Sequence, residues 1–209
     1  MLATLVPDII TPITAPELLE ALRVQYFQNF DGELNPAACA VFCAQSALET
    51  GNWRSIHCYN IGNIKAASAY DGLYCRYRCS EIIQGLEKWF DPPSQQCNFR
   101  AYEDLDSAVL DYLTFLQNRT RFVPAWAAAV AGDPGAFVRA LKAGGYFTAT
   151  EEPYERAVVW LQRKFLAMIS PEVEPPPHED HEWERLRGVV AANQFDVSSD
   201  DRAVLVPDA

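Results

Sequence analysis

Between Asn35 and Trp53 the chain carries the segment that most constrains its fold. Asn35 followed by Pro36 is a helix entrance: an amide side chain able to cap free backbone N–H groups, then a residue whose φ is already helical. Ala38, Val41, Phe42, Gln45, Leu48 and Glu49 then recur at spacings of three and four, and Gly51 supplies the exit. The spacing predicts a helix with a mostly apolar stripe that ends in a carboxylate. At the negative end of the helix dipole, and beside apolar neighbours, Glu49 is expected to have a raised pKa. A purely structural position there calls for Lys or Arg, so Glu49 is read as a proton donor.

Other helices follow the same logic. Leu18, Leu19, Leu22, Tyr26 and Phe30 mark a helix over 16–30, and Asp31-Gly32 turns the chain into the Glu49 helix. Residues 52–103 lack helical periodicity, are broken by Gly and Pro, and read as a loop-and-hairpin lobe. Helical signals return after Asp104 (Leu105, Ala108, Val109, Tyr112, Leu113, Leu116), over 122–131 with Trp126, after Asp133-Pro134 as far as Gly144-Gly145, and from Pro153 with Ala157, Val158, Leu161 and Phe165 inward. The expected fold class is α+β, mainly α, with a small β-hairpin lobe. Glu174 to Pro177 reads as a stiff linker, dividing the chain into a domain at 1–170, a linker at 171–178 and an acidic tail at 179–209.

Charge narrows the function. The net charge is −11, and residues 171–209 carry ten acidic and three basic side chains, so the body is only mildly acidic. Without a basic face, nucleic acid is not an expected partner. No apolar run reaches membrane-spanning length, no basic amphipathic helix favours a membrane surface, and Met1 to Asp8 does not read as a secretory signal.

Six cysteines (Cys39, Cys43, Cys58, Cys75, Cys79, Cys97) leave disulfides, buried thiols and a zinc site all open. One economical scheme links Cys39 and Cys43 to the later cysteines. His57 beside Cys58 is a weak metal pair, and His178 and His181 fall in the tail; no metal or cofactor is expected. A serine-nucleophile elbow is absent, and three histidines are too few for a zinc amidase with a His/Asp ligand set.

The order of four motifs resembles the bacterial and phage peptidoglycan glucosaminidases of the lysozyme-like superfamily, over about residues 16–168. Ala44-Gln45-Ser46-Ala47-Leu48-Glu49-Thr50-Gly51 resembles the general-acid helix of that family, and Tyr59-Asn60-Ile61-Gly62-Asn63-Ile64-Lys65 the turn that shapes its sugar cleft. Phe99-Arg100-Ala101-Tyr102 resembles the segment leading out of the small lobe, and Gly144-Gly145-Tyr146 with Pro153-Tyr154 an element near the domain's end. The resemblance implies a lysozyme-like helical domain, Glu49 as general acid and Tyr146 beside the reacting sugar. It also implies a second carboxylate in the small lobe: Glu81, with Glu87 and Asp91 as rivals. Because sugars offer apolar faces and polar edges, Tyr59, Asn60, Asn63, Tyr102 and Trp126 are candidate cleft residues, joined by Tyr154 from the resemblance.

The implied reaction is hydrolysis of the β-1,4 glycosidic bond after N-acetylglucosamine in peptidoglycan. A muramidase, a lytic transglycosylase and a non-catalytic wall-binding or assembly module are the competing readings. Action in the cell envelope or periplasm is expected, by a phage-encoded protein or one delivered by a secretion or injection apparatus, with an immunity, inhibitor or delivery protein as a further partner.

Overall fold

A computed structural model describes residues 3–83, 86–147 and 150–176, with the side chains of residues 81–83 and Glu87 outside the description. The acidic tail at 179–209, with His178 and His181, lies outside the described residues. Among the described residues six α-helices are built around one of them: α1 (Ala15–Asn29), α2 (Pro36–Glu49), α3 (Leu105–Asn118), α4 (Val123–Val130), α5 (Pro134–Ala143) and α6 (Glu151–Ile169).

α2 is the axis. Every residue from Ala38 to Glu49 is buried, so the expected apolar stripe is a helix enclosed all round. Its composition explains this: before Glu49 it has no charge, and its alanines let neighbouring helices approach closely. α6 packs along α2, while α1 and α4 cover other faces. Phe42 meets Tyr112, Trp126 and Phe137 in one aromatic cluster. Entry to α2 is fixed twice: Asn35 Oδ1 accepts from Ala38 N at 2.8 Å, and Asn35 Nδ2 donates to Val130 O at 2.9 Å. Gly132, at φ +75°, lies so near that a Cβ there would stand 2.6 Å from Ala37 Cβ.

Local signals set the helix ends. Thr14 and Glu17 form a reciprocal capping box on α1, and Asp104 and Asp133 cap α3 and α5. α6 starts two residues before the expected Pro153, with Pro153 inside the first turn, where its missing N–H costs nothing.

Among the described residues the small lobe, built mainly from the chain between α2 and α3, holds two sheets. The N-terminal strand β1 (Thr4–Leu5) pairs parallel with β2 (Leu73–Arg76), and β2 pairs antiparallel with β5 (Asn98–Arg100). β3 (Cys79–Ile83) and β4 (Leu86–Phe90) form the hairpin. The recruitment of residues 4–5 has no sequence signal, because two residues cannot show an alternation. The lobe has its own apolar centre of Cys58, Cys75, Cys79, Cys97, Phe99 and Ala101.

That second centre corrects the cysteine scheme. Cys79 and Cys97 form a disulfide within the lobe, and Cys39, Cys43, Cys58 and Cys75 are buried thiols. The α2 cysteines point into the helical core, where Cys39 Sγ contacts Leu19 O at 3.5 Å, so no link to the lobe forms. The start of the expected linker lies on α6: Arg163 Nε donates to Glu174 O at 3.1 Å and Pro176 is buried. Among the described residues no helix is long and apolar enough to cross a membrane.

Candidate active site

Glu49 ends α2 where the helical core meets the small lobe. Its residue exposure is 8%, so most of its hydration is removed. Tyr154 Oη, from α6, donates to Glu49 Oε1 at 2.8 Å. Gln45 Nε2, one helical turn earlier, donates to the same oxygen at 3.3 Å. Gln45 is itself held by Tyr112 Oη, which donates to its Oε1 at 2.6 Å.

Burial pushes the Glu49 carboxyl up to about 7, against the opposing pull of the bonds from Tyr154 and Gln45. Desolvation wins because both donors are neutral phenol or amide groups. Neither can replace the hydration an anion loses. Among the described residues both bonds fall on Oε1, which leaves Oε2 as the oxygen to carry the proton. Tyr112, Tyr146 and Tyr154 are all buried, and burial holds their phenols well above the ordinary range, so they act as fixed hydrogen-bond donors.

The chain after Glu49 is shaped by left-handed backbone at five non-glycine residues: Asn52, Trp53, Cys58, Tyr59 and Asn63. Such conformations persist only where surroundings impose them. Trp53 is held by its Nε1–H bond to Ser46 Oγ (3.0 Å) and by Phe165. Asn60 organises the next turn. Its Nδ2 donates to Ile64 O and Arg100 O (both 2.9 Å), and its Oδ1 accepts from Ile64 N at 2.8 Å. Tyr146 Oη donates to Gly62 O at 2.8 Å, binding the same turn to the segment after α5.

The expected site residues therefore separate. Glu49, Tyr154 and Tyr146 come together, with Tyr146 donating to turn backbone. Asn60 is 2% exposed with its amide spent on backbone, so it builds the turn and does not line a sugar cleft. Tyr59 and Asn63 sit half-buried on that turn, and Asn63 Oδ1 accepts from Tyr77 Oη at 2.8 Å. Tyr102 Oη donates to Asp111 Oδ2 at 2.6 Å beside the Arg100–Asp111 ion pair, a joint between lobe and α3. Trp126 is partly buried against the core, stacking with Tyr26, Phe30 and Phe42. Phe42 is seven residues from Glu49, about 10 Å along the helix, so Trp126 stands apart from the Glu49 network. Glu81 pairs through its backbone with Lys88 in the hairpin, and its side chain lies outside the described residues. Asp91 is spent on a surface ion pair with Arg78.

Two members of the site, Gln45 and Tyr112, are not among the residues expected from sequence. Gln45 did carry a signal: it is a large polar side chain one turn before Glu49 in a mostly apolar helix. Tyr112 carried none, since its inward position fits packing equally well. Two surface hollows, one on α1 beside Arg23 and Phe27 and one on α6 beside Val159 and Trp160, do not include Glu49.

Residues 25–166 match the model of a family described as glucosaminidase, mannosyl-glycoprotein endo-beta-N-acetylglucosaminidase. The chain belongs to the glucosaminidase family. The protein is 31% identical over 128 residues to the peptidoglycan hydrolase FlgJ of Pseudomonas aeruginosa, a match covering 58% of this chain and 30% of that relative's length. Its fold is similar to a peptidoglycan hydrolase mutant from Sphingomonas sp. A1 (29% identity, TM-score 0.52), over 70% of this chain and 91% of that one. It also resembles a truncated glycoside hydrolase domain of Salmonella typhimurium FlgJ in fold, at 22% identity and TM-score 0.50, over 73% and 95% of the two chains. The matched span includes the whole Glu49 network, from Gln45 to Tyr154.

Proposed function

We propose that this glucosaminidase-family protein hydrolyses peptidoglycan at the β-1,4 bond after N-acetylglucosamine, with Glu49 as general acid. One observation carries the reading. The carboxyl at the end of α2 is buried, has its pKa pushed to about 7, and accepts both of its described bonds on Oε1. A proton held on Oε2 can pass to the glycosidic oxygen as oxocarbenium-like charge builds at C1. The substrate's own 2-acetamido oxygen is the proposed partner for C1 from the opposite face, with Glu81, on the hairpin, as the proposed base for water. Tyr59 and Asn63 are the proposed sugar contacts, because they stand half-exposed on the turn that Asn60 and Tyr146 fix.

The relatives named peptidoglycan hydrolases support the substrate class. The proposed place of action is the cell envelope, reached as a phage-encoded or delivered protein. The acidic residues of 179–209 are the proposed contact for an inhibitor or delivery partner. Mass spectrometry of muropeptides released from purified sacculi tests substrate and bond together. Reducing-end N-acetylglucosamine is expected, and Glu49→Gln should lower its release by about two orders of magnitude or more. Reducing-end muramic acid or an anhydro sugar would reassign the bond or the outcome, and equal release by both proteins would remove Glu49 from the mechanism.

A further inference from the structure

Outside the Glu49 network, three segments remote in sequence bring metal-ligating atoms to one point in the small lobe. A carboxylate oxygen of Asp8, Cys58 Sγ and Cys75 Sγ all lie within 4.8 Å of one another. We propose that Asp8, Cys58 and Cys75 are ligands of a zinc ion that clamps the N-terminal segment and the turn at 57–63 onto β2.

Backbone geometry imposes the convergence. Val6 N donates to Tyr74 O and Cys58 N donates to Ile9 O, both at 2.9 Å, so Asp8 is bracketed between β2 and the turn. Cys58 takes left-handed backbone at φ +47°, a costly conformation for a non-glycine residue, and its thiol faces the same point. His57 Nδ1 meets Asp8 Oδ1 at 2.6 Å, the outer-shell bond that commonly orients a ligating carboxylate. The His57 ring is fixed in turn by stacking on Tyr77 at 3.7 Å, and Tyr77 stacks on Phe99 at 4.4 Å. Two buried sulfurs and one partly exposed carboxylate suit a borderline-soft divalent cation, with Zn–S near about 2.3 Å and Zn–O near about 2.1 Å. Two atoms bound to one tetrahedral ion at those lengths stand roughly 3.3–3.8 Å apart, so small side-chain movements complete the site. A water molecule would complete four-coordination, and the partly exposed Asp8 gives solvent a route to it.

Binding converts both thiols to thiolates and releases their two protons to solvent. With the Asp8 carboxylate the ligands carry three negative charges, of which the zinc ion cancels two. A Cys58–Cys75 disulfide is the competing use of the two sulfurs. It leaves unexplained why a carboxylate with its own imidazole partner is held against them.

The test uses the full chain, kept under mild thiol reductant, stripped with a chelator and titrated with cobalt(II). One equivalent should give a thiolate-to-cobalt charge-transfer band and the visible bands of tetrahedral coordination, both erased by zinc. Cys58→Ser and Cys75→Ser should abolish the charge-transfer band, and Asp8→Asn should weaken cobalt binding by about tenfold or more. Asp8→Asn keeps the test decisive if a cysteine variant fails to fold, because Asp8 is partly exposed and adds nothing to the apolar centre. Folded reduced wild type that shows no charge-transfer band overturns the proposal, as does an intact Cys58–Cys75 disulfide in the protein as isolated. The readout is spectral, so it stands or falls separately from the hydrolytic reading.

Discussion

Replacing Glu49 by Gln should change the pH dependence of stability as well as turnover. The folded-state pKa near 7 stands above the ordinary 4.5 because burial disfavours the anion. At ~1.4 kcal/mol per pH unit, that gap makes ionised Glu49 roughly 3 kcal/mol less compatible with the fold than its neutral form. Between those two values the folded state keeps a proton that the unfolded chain has released. The Glu49 contribution to wild-type stability therefore falls as pH rises from about 4.5 to about 7, with no slope from this group above or below. Gln cannot ionise, and its side-chain carbonyl can still accept from Tyr154 and Gln45. The stability difference between Glu49→Gln and wild type should thus grow in the variant's favour by roughly 3 kcal/mol across that window, equivalent to roughly 6–12 °C in Tm for a domain of this size. Urea unfolding of both proteins at half-unit steps from about pH 4 to 8 measures it. A pH-independent difference would refute the raised pKa, and the acid role with it.

Three further outcomes test the same geometry. The proposed hydrolytic kcat/KM should fall as pH rises through about 7, where the acid loses its proton, and Tyr154→Phe should move that limb upward, since the lost hydrogen bond is one that lowers the Glu49 pKa. The same variant should cost about 1 kcal/mol by chemical denaturation. Asn60→Ala removes three bonds to backbone from a buried turn and should cost roughly 2–4 kcal/mol, with proposed activity lost even in molecules that remain folded. Gly62→Ala puts a Cβ 2.9 Å from Tyr112 Cδ2, so it should lower stability by roughly 1–3 kcal/mol and disturb Gln45 through Tyr112, visible as a shift in the alkaline limb.

The sequence by itself determined the helices and singled out Glu49. Asn35-Pro36, Asp104, Asp133-Pro134 and the flanking glycines are local signals, read over a few residues, and they placed α2, α3 and α5 to within a residue or two. Glu49 was legible because a charge at the end of an apolar helix conflicts with its surroundings, and that conflict is visible along the chain. Tertiary structure decided what surrounds Glu49. Tyr154 is 105 residues from Glu49 and Tyr112 is 67 from Gln45, and no periodicity relates them. Side-chain chemistry suggested Trp126 and Asn60 for a sugar cleft, whereas packing sets Trp126 against the helical core and spends the Asn60 amide on backbone, because an aromatic or amide side chain looks the same in sequence whether it meets a sugar, a core or a backbone carbonyl. The cysteines follow the same rule, since pairing depends on which apolar centre each thiol enters, and only packing separated the two centres. Periodicity records which residues seek burial, while the partner each one meets depends on chain segments that come together only on folding.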